Sequence, residues 1–381
     1  SLLGKFRRRR ALPQDMLTEA QQIDSLSGRY AEQGSQALAG ANAWVEDTNR
    51  NGGISLECEG GRVPVRFVFY DDESDPQRCE ALTERLITEE DVDIVLGPYS
   101  SGLSLIAATV AERYGKVLWT HGGASDSIYQ HGFRSVVGIL TSASWYFRGI
   151  IEMVRNDYPK AESVAIVYST AGAFPKDVAL GAEEYARKMG FDIVHRHPYA
   201  PRTQDFLPIL RRLKEDRPGL ILGVGRIEDD LRFAKQLHER SVPLQEVGLV
   251  AASIASFKNS LGSAAESFLG PSQWEPGGAL DADYGPSPAR VMKRLSTLRN
   301  RGVDYSMAQA YAGCLVAQRC VEAAGCLDNS KLRQAAERLD FTTFYGRFKI
   351  DPSTGRQVGH SMVVVRWRGD KKVVVWLRGR I

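Results

Sequence analysis

The sequence predicts an α/β protein made of two doubly wound parallel sheets, and three features carry that prediction. Short continuous apolar runs, such as Val65-Arg66-Phe67-Val68-Phe69, Ile94-Val95-Leu96 and Val117-Leu118-Trp119, alternate with stretches whose apolar residues recur every three or four positions. Strands of that texture are buried on both faces by covering helices, which is the parallel arrangement. The same alternation resumes near residue 164, and 381 residues exceed what one ordinary core holds.

In chain order, the first helical face is Ala37-Leu38-Ala41-Trp44-Val45, and the strand Val65–Phe69 follows it. Asp75 before Pro76 marks a helix start, because the carboxylate caps free N–H groups and proline suits the first turn. That helix shows Ala81-Leu82-Leu86-Ile87, and the one after Ile94–Leu96 shows Ile106-Ala107-Val110-Ala111. The joint between the halves falls near Val136–Thr141. The second half reads strand Val164–Tyr168, helix near 176–189, strand Phe191–Val194, helix near 204–215, strand Leu220–Leu222, helix near 228–240 and strand Val247–Val250. A Pro/Gly-rich stretch, 270–278, precedes a long helix near 306–324. Ser361–Trp367, the turn Arg368-Gly369-Asp370 and Val373–Trp376 form an antiparallel hairpin signal.

Composition narrows the function. A net charge of +3, with Lys and Arg scattered, excludes a nucleic-acid face, which needs concentrated charge. Arg7-Arg8-Arg9-Arg10 reads as a solvated tail. No stretch reaches the roughly 18 apolar residues of a membrane span, and no secretory signal opens the chain. It is therefore either a mature form or a protein that stays in the cytoplasm. Five cysteines leave two readings open: buried thiols at Cys314, Cys320 and Cys326, or one disulfide involving Cys58 or Cys79.

In open parallel sheets, ligands sit beyond the carboxyl ends of strands. Tyr70–Pro76 occupies such a place and reads as turn and cap. Gly97-Pro98-Tyr99-Ser100-Ser101-Gly102 follows another strand; Ser100 or Ser101 caps the next helix, and the free N–H groups there suit a carboxylate. Thr120-His121-Gly122-Gly123-Ala124-Ser125 ends a third strand with the same chemistry. Two such loops in one half predict a site. The six histidines show no metal spacing, with His195 and His197 reading as a polar strand edge. The sequence has no nucleophile elbow, phosphate loop or dinucleotide fingerprint, so neither cofactor nor metal nor enzymatic activity is expected.

These loops, together with Ser25-Leu26-Ser27-Gly28, Gly34, Ala39-Gly40-Ala41, Asn49–Ile54 and Asp340–Asp351, resemble the type I periplasmic solute-binding proteins of ABC transporters, in their leucine/isoleucine/valine-binding branch. The resemblance runs from about residue 23 to 376. It implies two Rossmann-like lobes, 1–139 with 276–358 and 140–275 with 359–381, joined by three hinge crossovers around a ligand cleft. The hinges would fall near Val137–Thr141, Trp274–Pro276 and Val358–Ser361. It further implies that Ser101, Gly122 and Ala124 hold a ligand carboxylate, with Tyr99, Ser100 and Gly123 beside them, and that Phe174 covers the ligand. Ala124 stands where the family usually has a hydroxyl, which Ser125 would replace. Two departures stand out. The family's first strand precedes Ser25, but Gln14–Ile23 is too polar for a buried strand. Near Ala251-Ala252-Ser253, where an acidic partner for an amino acid's ammonium is expected, there is no carboxylate.

A desolvated ammonium needs an anionic partner. Glu228, Asp229 and Asp230 begin a helix nearby, and Gly225-Arg226 at a strand's carboxyl end offers a cation to a second ligand group. Tyr146 and Trp274 at the hinges, with Phe174, predict aromatic walls. The expectation is a monomeric periplasmic receptor that binds a small carboxylate, an aromatic acid in preference to leucine, and hands it to the membrane permease of an ABC transporter. The alternative is a cytoplasmic ligand-sensing regulator of the same fold.

Overall fold

The computed structural model describes residues 18–242, 245–278, 281–298 and 303–377. The run Arg7–Arg10 lies outside them. The chain opens with β1 (Thr18–Asp24), α1 (Ala31–Arg50), the small hairpin β2 (Ile54–Leu56) and β3 (Gly61–Val63), and β4 (Val65–Asp71). Then come α2 (Pro76–Thr88), β5 (Ile94–Leu96), α3 (Ser101–Tyr114), β6 (Leu118–Thr120) and β7 (Val136–Gly138). Five of these strands make a parallel sheet in the order β4-β1-β5-β6-β7. Asp75 caps α2 as expected, accepting from Arg78 N–H at 2.8 Å.

The central strand corrects the sequence reading. Gln14–Ile23 was expected to be too polar for a buried strand, yet β1 (Thr18–Asp24) pairs with β4 and β5 on both sides and Thr18, Gln21 and Gln22 are 0 % exposed. Two ladders satisfy its main chain, Ala20 and Ile23 supply an apolar residue to each face, and Gln22 Nε2 donates to Asp24 Oδ2 at 2.6 Å. The strand is held by backbone pairing and by its neighbours' bulk, not by its own apolarity.

The second layer system follows: α4 (Arg148–Asp157), β8 (Ser163–Ser169), α5 (Ala173–Lys188), β9 (Asp192–Tyr199), α6 (Leu207–Asp216), β10 (Leu220–Val224), α7 (Ile227–Glu239), β11 (Glu246–Leu249), α8 (Ala255–Leu261) and β12 (Leu269–Ser272). The chain then returns to the first sheet with α9 (Pro288–Ser296), α10 (Tyr305–Ala324), α11 (Asn329–Arg338) and the hairpin β13 (Phe341–Thr343) and β14 (Gly346–Phe348). Small residues on α1 admit α10: a Cβ on Gly40 would collide with the Met307 carbonyl. Trp44 Nε1 donates to Gln318 Oε1 at 2.9 Å across that seam. The expected C-terminal hairpin is β15 (Val363–Arg368) and β16 (Lys371–Leu377). It adds antiparallel strands to a seven-stranded sheet ordered β16-β15-β12-β11-β10-β8-β9. Cys79, Cys314 and Cys320 are buried thiols, and all five cysteines are free.

The chain passes between the sheets three times, and the three passages meet in one buried knot. Gln273 Oε1 accepts from Thr141 N–H at 3.1 Å, and its amide donates to Thr141 O at 2.9 Å and Tyr146 Oη at 3.1 Å. Thr141 Oγ1 bonds His360 Nδ1 at 2.6 Å. Burial pushes the His360 imidazole down to about 4, so it is neutral there. One residue from each passage thus shares a single polar centre.

Candidate functional site

The cleft loops lie where the carboxyl ends of the two sheets face each other. Ser100, at φ +87°, caps α3 by accepting from Leu103 N–H at 3.3 Å. Ser101 is thereby released from capping: its Oγ accepts from the N–H groups of Ala124 at 3.2 Å and Ser125 at 3.0 Å. Gly122 and Gly123 make this approach possible, because a Cβ on the first would strike Pro98 O and Tyr99, and on the second Ser104. Ser100 N–H donates to Gly122 O at 3.1 Å and ties the two loops edge to edge. The structure therefore brings Tyr99, Ser100, Ser101 and Gly122–Ser125 together.

Beneath them sits Asp24, the end of β1. It accepts from Ser25 N–H at 2.9 Å and Tyr99 N–H at 3.3 Å, and burial pushes its carboxyl up to about 8. The other lobe repeats the device. Asp230, 2 % exposed, accepts from Ala251 N–H at 3.0 Å, and burial again pushes it up to about 8. It reaches the loop at Ala251–Ser253 but spends its oxygen on main chain.

Tyr146 and Phe174 meet edge to face, centroids 5.2 Å apart. Gly225 stands at the end of β10 against the Tyr199 hydroxyl, and Arg226 begins α7 half-buried, with no partner for its guanidinium among the described residues. Trp274 is turned away from this role: it is 4 % exposed, packs edge to face on Phe344 and donates Nε1–H to Phe344 O at 3.0 Å. Its indole serves the core under the 341–348 hairpin.

Four groups escaped the sequence reading. Asp177, just past the first turn of α5, accepts a hydrogen bond from Ser125 Oγ and so bridges the two sheets' loops. Asp126 accepts from Ser144 N–H at 2.9 Å and Oγ at 2.6 Å, and Arg356 reaches Ser142 Oγ at 2.8 Å and Asp126 at 3.3 Å. Tyr305 bonds the Tyr99 hydroxyl at 2.5 Å. None carries a local motif; their partners lie from 18 to 214 positions away along the chain. Backbone donors, hydroxyls and aromatic rings are thus gathered from both sheets around these loops. A separate cavity of about 610 Å³ opens among α1, α9 and α10, lined by residues such as Trp44, Arg294 and Tyr311; it includes none of the loops above.

Comparison with known proteins fits this geometry. The profile of the family described as periplasmic binding protein matches residues 22–372. A Leu/Ile/Val-binding protein homologue of Brucella abortus is 24% identical over 220 residues, which are 56% of this chain and 53% of that protein. The matched region thus spans about half the length of that curated relative. A leucine-binding protein of Thermotoga maritima superposes with a TM-score of 0.80 at 16% identity, covering 94% of this chain and 97% of the other. A solute-binding protein of an ABC transporter from R. palustris, in complex with benzoate, gives 0.76 at 18% identity, covering 95% and 96%.

Proposed function

The chain belongs to the periplasmic binding protein family, and from that we propose that it is a non-enzymatic, extracytoplasmic receptor that captures a small carboxylate between its lobes and delivers it to the permease of an ABC transporter. The observation that carries the proposal is the convergence of Ser101 Oγ with the Ala124 and Ser125 N–H groups. A carboxylate placed there would accept from the Ser101 hydroxyl as well as from those N–H groups, gaining charge-assisted hydrogen bonds worth roughly 1.5–3 kcal/mol each. The lobes, 1–139 with 276–358 and 140–275 with 359–381, would then turn about the knot at Thr141, Gln273 and His360 as the cleft closes. By calorimetry, Ser101→Ala should lower affinity about tenfold or more; unchanged affinity would overturn the role of this loop pair.

The ligand we favour is an aromatic acid. Tyr99, Tyr146 and Phe174 supply rings, Tyr305 supplies a hydroxyl, and Asp230 is already engaged. A second reading rests on Asp177: its carboxylate beside Ser125 could receive the ammonium of an amino acid. A titration panel separates the two. Benzoate- or phenylpropanoate-like acids should bind more tightly than leucine, and Asp177→Asn should leave their affinity intact. Micromolar leucine binding abolished by Asp177→Asn would decide for the amino acid.

A further inference from the structure

At the outer edge of the seven-stranded sheet, β9 carries two histidines two positions apart, so strand alternation sets His195 and His197 on the same face. Their rings lie 4.8 Å apart, centroid to centroid. Asp216, the last residue of α6, comes down onto them: its Oδ2 is 3.2 Å from His195 Nδ1. One donor atom from each of the three residues falls within 4.8 Å of the others. His197 Nε2 and Asp216 Oδ2 are buried and make no hydrogen bond among the described residues. Buried polar atoms left without partners are costly, and two of them converging beside the His195 ring ask for a shared partner.

We propose that His195, His197 and Asp216 form a binding site for a divalent transition-metal ion of the zinc class. Two imidazoles and a carboxylate are the donor set such ions favour over magnesium or calcium, which prefer oxygen alone. Ligand bonds of about 2.0–2.2 Å draw the three donors together by small side-chain rotations and leave a coordination position for water. The competing cation is Arg212, whose guanidinium lies 3.0 Å from His195 Nε2. That side chain is more than half exposed and already reaches Glu215 at 3.5 Å, so it can turn outward when metal arrives. Metal would pin the edge strand to the end of α6, reinforcing the His195–Asp216 contact that already joins them.

The site is tested on the full chain, carrying no added histidines, by calorimetric titration with zinc chloride and by electron paramagnetic resonance with copper(II). Wild type should bind one zinc per chain and show coupling to two nitrogens in the copper spectrum. His197→Ala and Asp216→Asn should each weaken zinc binding at least tenfold, with His197→Ala reducing the nitrogen coupling to one. Melting curves without metal check that each variant is folded. Absence of saturable zinc binding to wild type, or binding that persists unchanged in the His195→Ala/His197→Ala double variant, would overturn the proposal.

Discussion

The two sheets are alike at their cleft edges and unlike at their centres. Beside each lies a buried carboxyl, Asp24 at the end of β1 and Asp230 in the first turn of α7, that accepts a main-chain N–H from a neighbouring loop. Between them the central strands diverge: β10 reads Leu-Ile-Leu-Gly-Val and is wholly buried, while β1, equally central, reads Thr-Glu-Ala-Gln-Gln-Ile-Asp. Gln21 leaves both amide atoms unbonded among the described residues. The lesson is that pairing on both sides fixes a strand's place, apolarity adds stability to it, and the loop-holding carboxyl is what the cleft requires of either sheet.

The widest gap should open when the polar character of β1 is imposed on β10. Leu222→Gln removes a fully buried side chain and installs an unsatisfied amide, so urea unfolding should register a loss of about 3–5 kcal/mol. A loss below about 1 kcal/mol would show that the two sheets tolerate polarity equally. Next comes the feature they share. Because the folded Asp230 carboxyl titrates near 8 and the unfolded one near 4, the folded state keeps a proton the unfolded chain has released. That stabilisation is full below pH 4 and fades as pH rises through 8. Relative to Asp230→Asn, wild type should therefore lose about 2 kcal/mol between pH 6 and 8, and Asp24→Asn should show the same slope. Parallel pH profiles of variant and wild type would break the likeness.

Gln21→Leu should act in the opposite direction to Leu222→Gln, raising stability by about 1–2 kcal/mol as two unbonded buried atoms disappear. Destabilisation would instead reveal ordered water on that amide. The smallest effect distinguishes neighbours within one cleft edge. Ser100→Ala should cost about 1 kcal/mol of stability through the lost cap and leave ligand affinity intact, the reverse of Ser101→Ala.

Much of this was legible from local chemistry. The alternation of apolar runs and amphipathic stretches located β4 to β6 and β8 to β11, and Gly-Pro-Tyr-Ser-Ser-Gly read as a site loop because small residues and hydroxyls at a strand's end leave N–H groups free. β1 was illegible because its burial comes from partners 47 and 74 positions on, such as Val65 and Asp93, and not from its own side chains. Asp177 looked like any charge on an amphipathic helix; only the packing of α5 against the Gly122–Ser125 loop gives it a role. Trp274 shows the converse error, since a large aromatic beside a hinge fits a cleft wall and a core equally well by sequence.

The seam between α1 and α10 has a consequence for biosynthesis. Trp44 finds Gln318 across 274 positions of chain. At about 5–20 residues per second, translation takes about 15–50 s to supply that partner. Through that interval the Ala37, Ala41 and Trp44 face of α1 has emerged with nothing to cover it, whereas β8 to β12 of the other sheet arrive in one uninterrupted run. The nascent protein thus completes most of its later half before its earlier one, and the exposed stripe on α1 is where a chaperone, or a misfolded neighbour, finds it first.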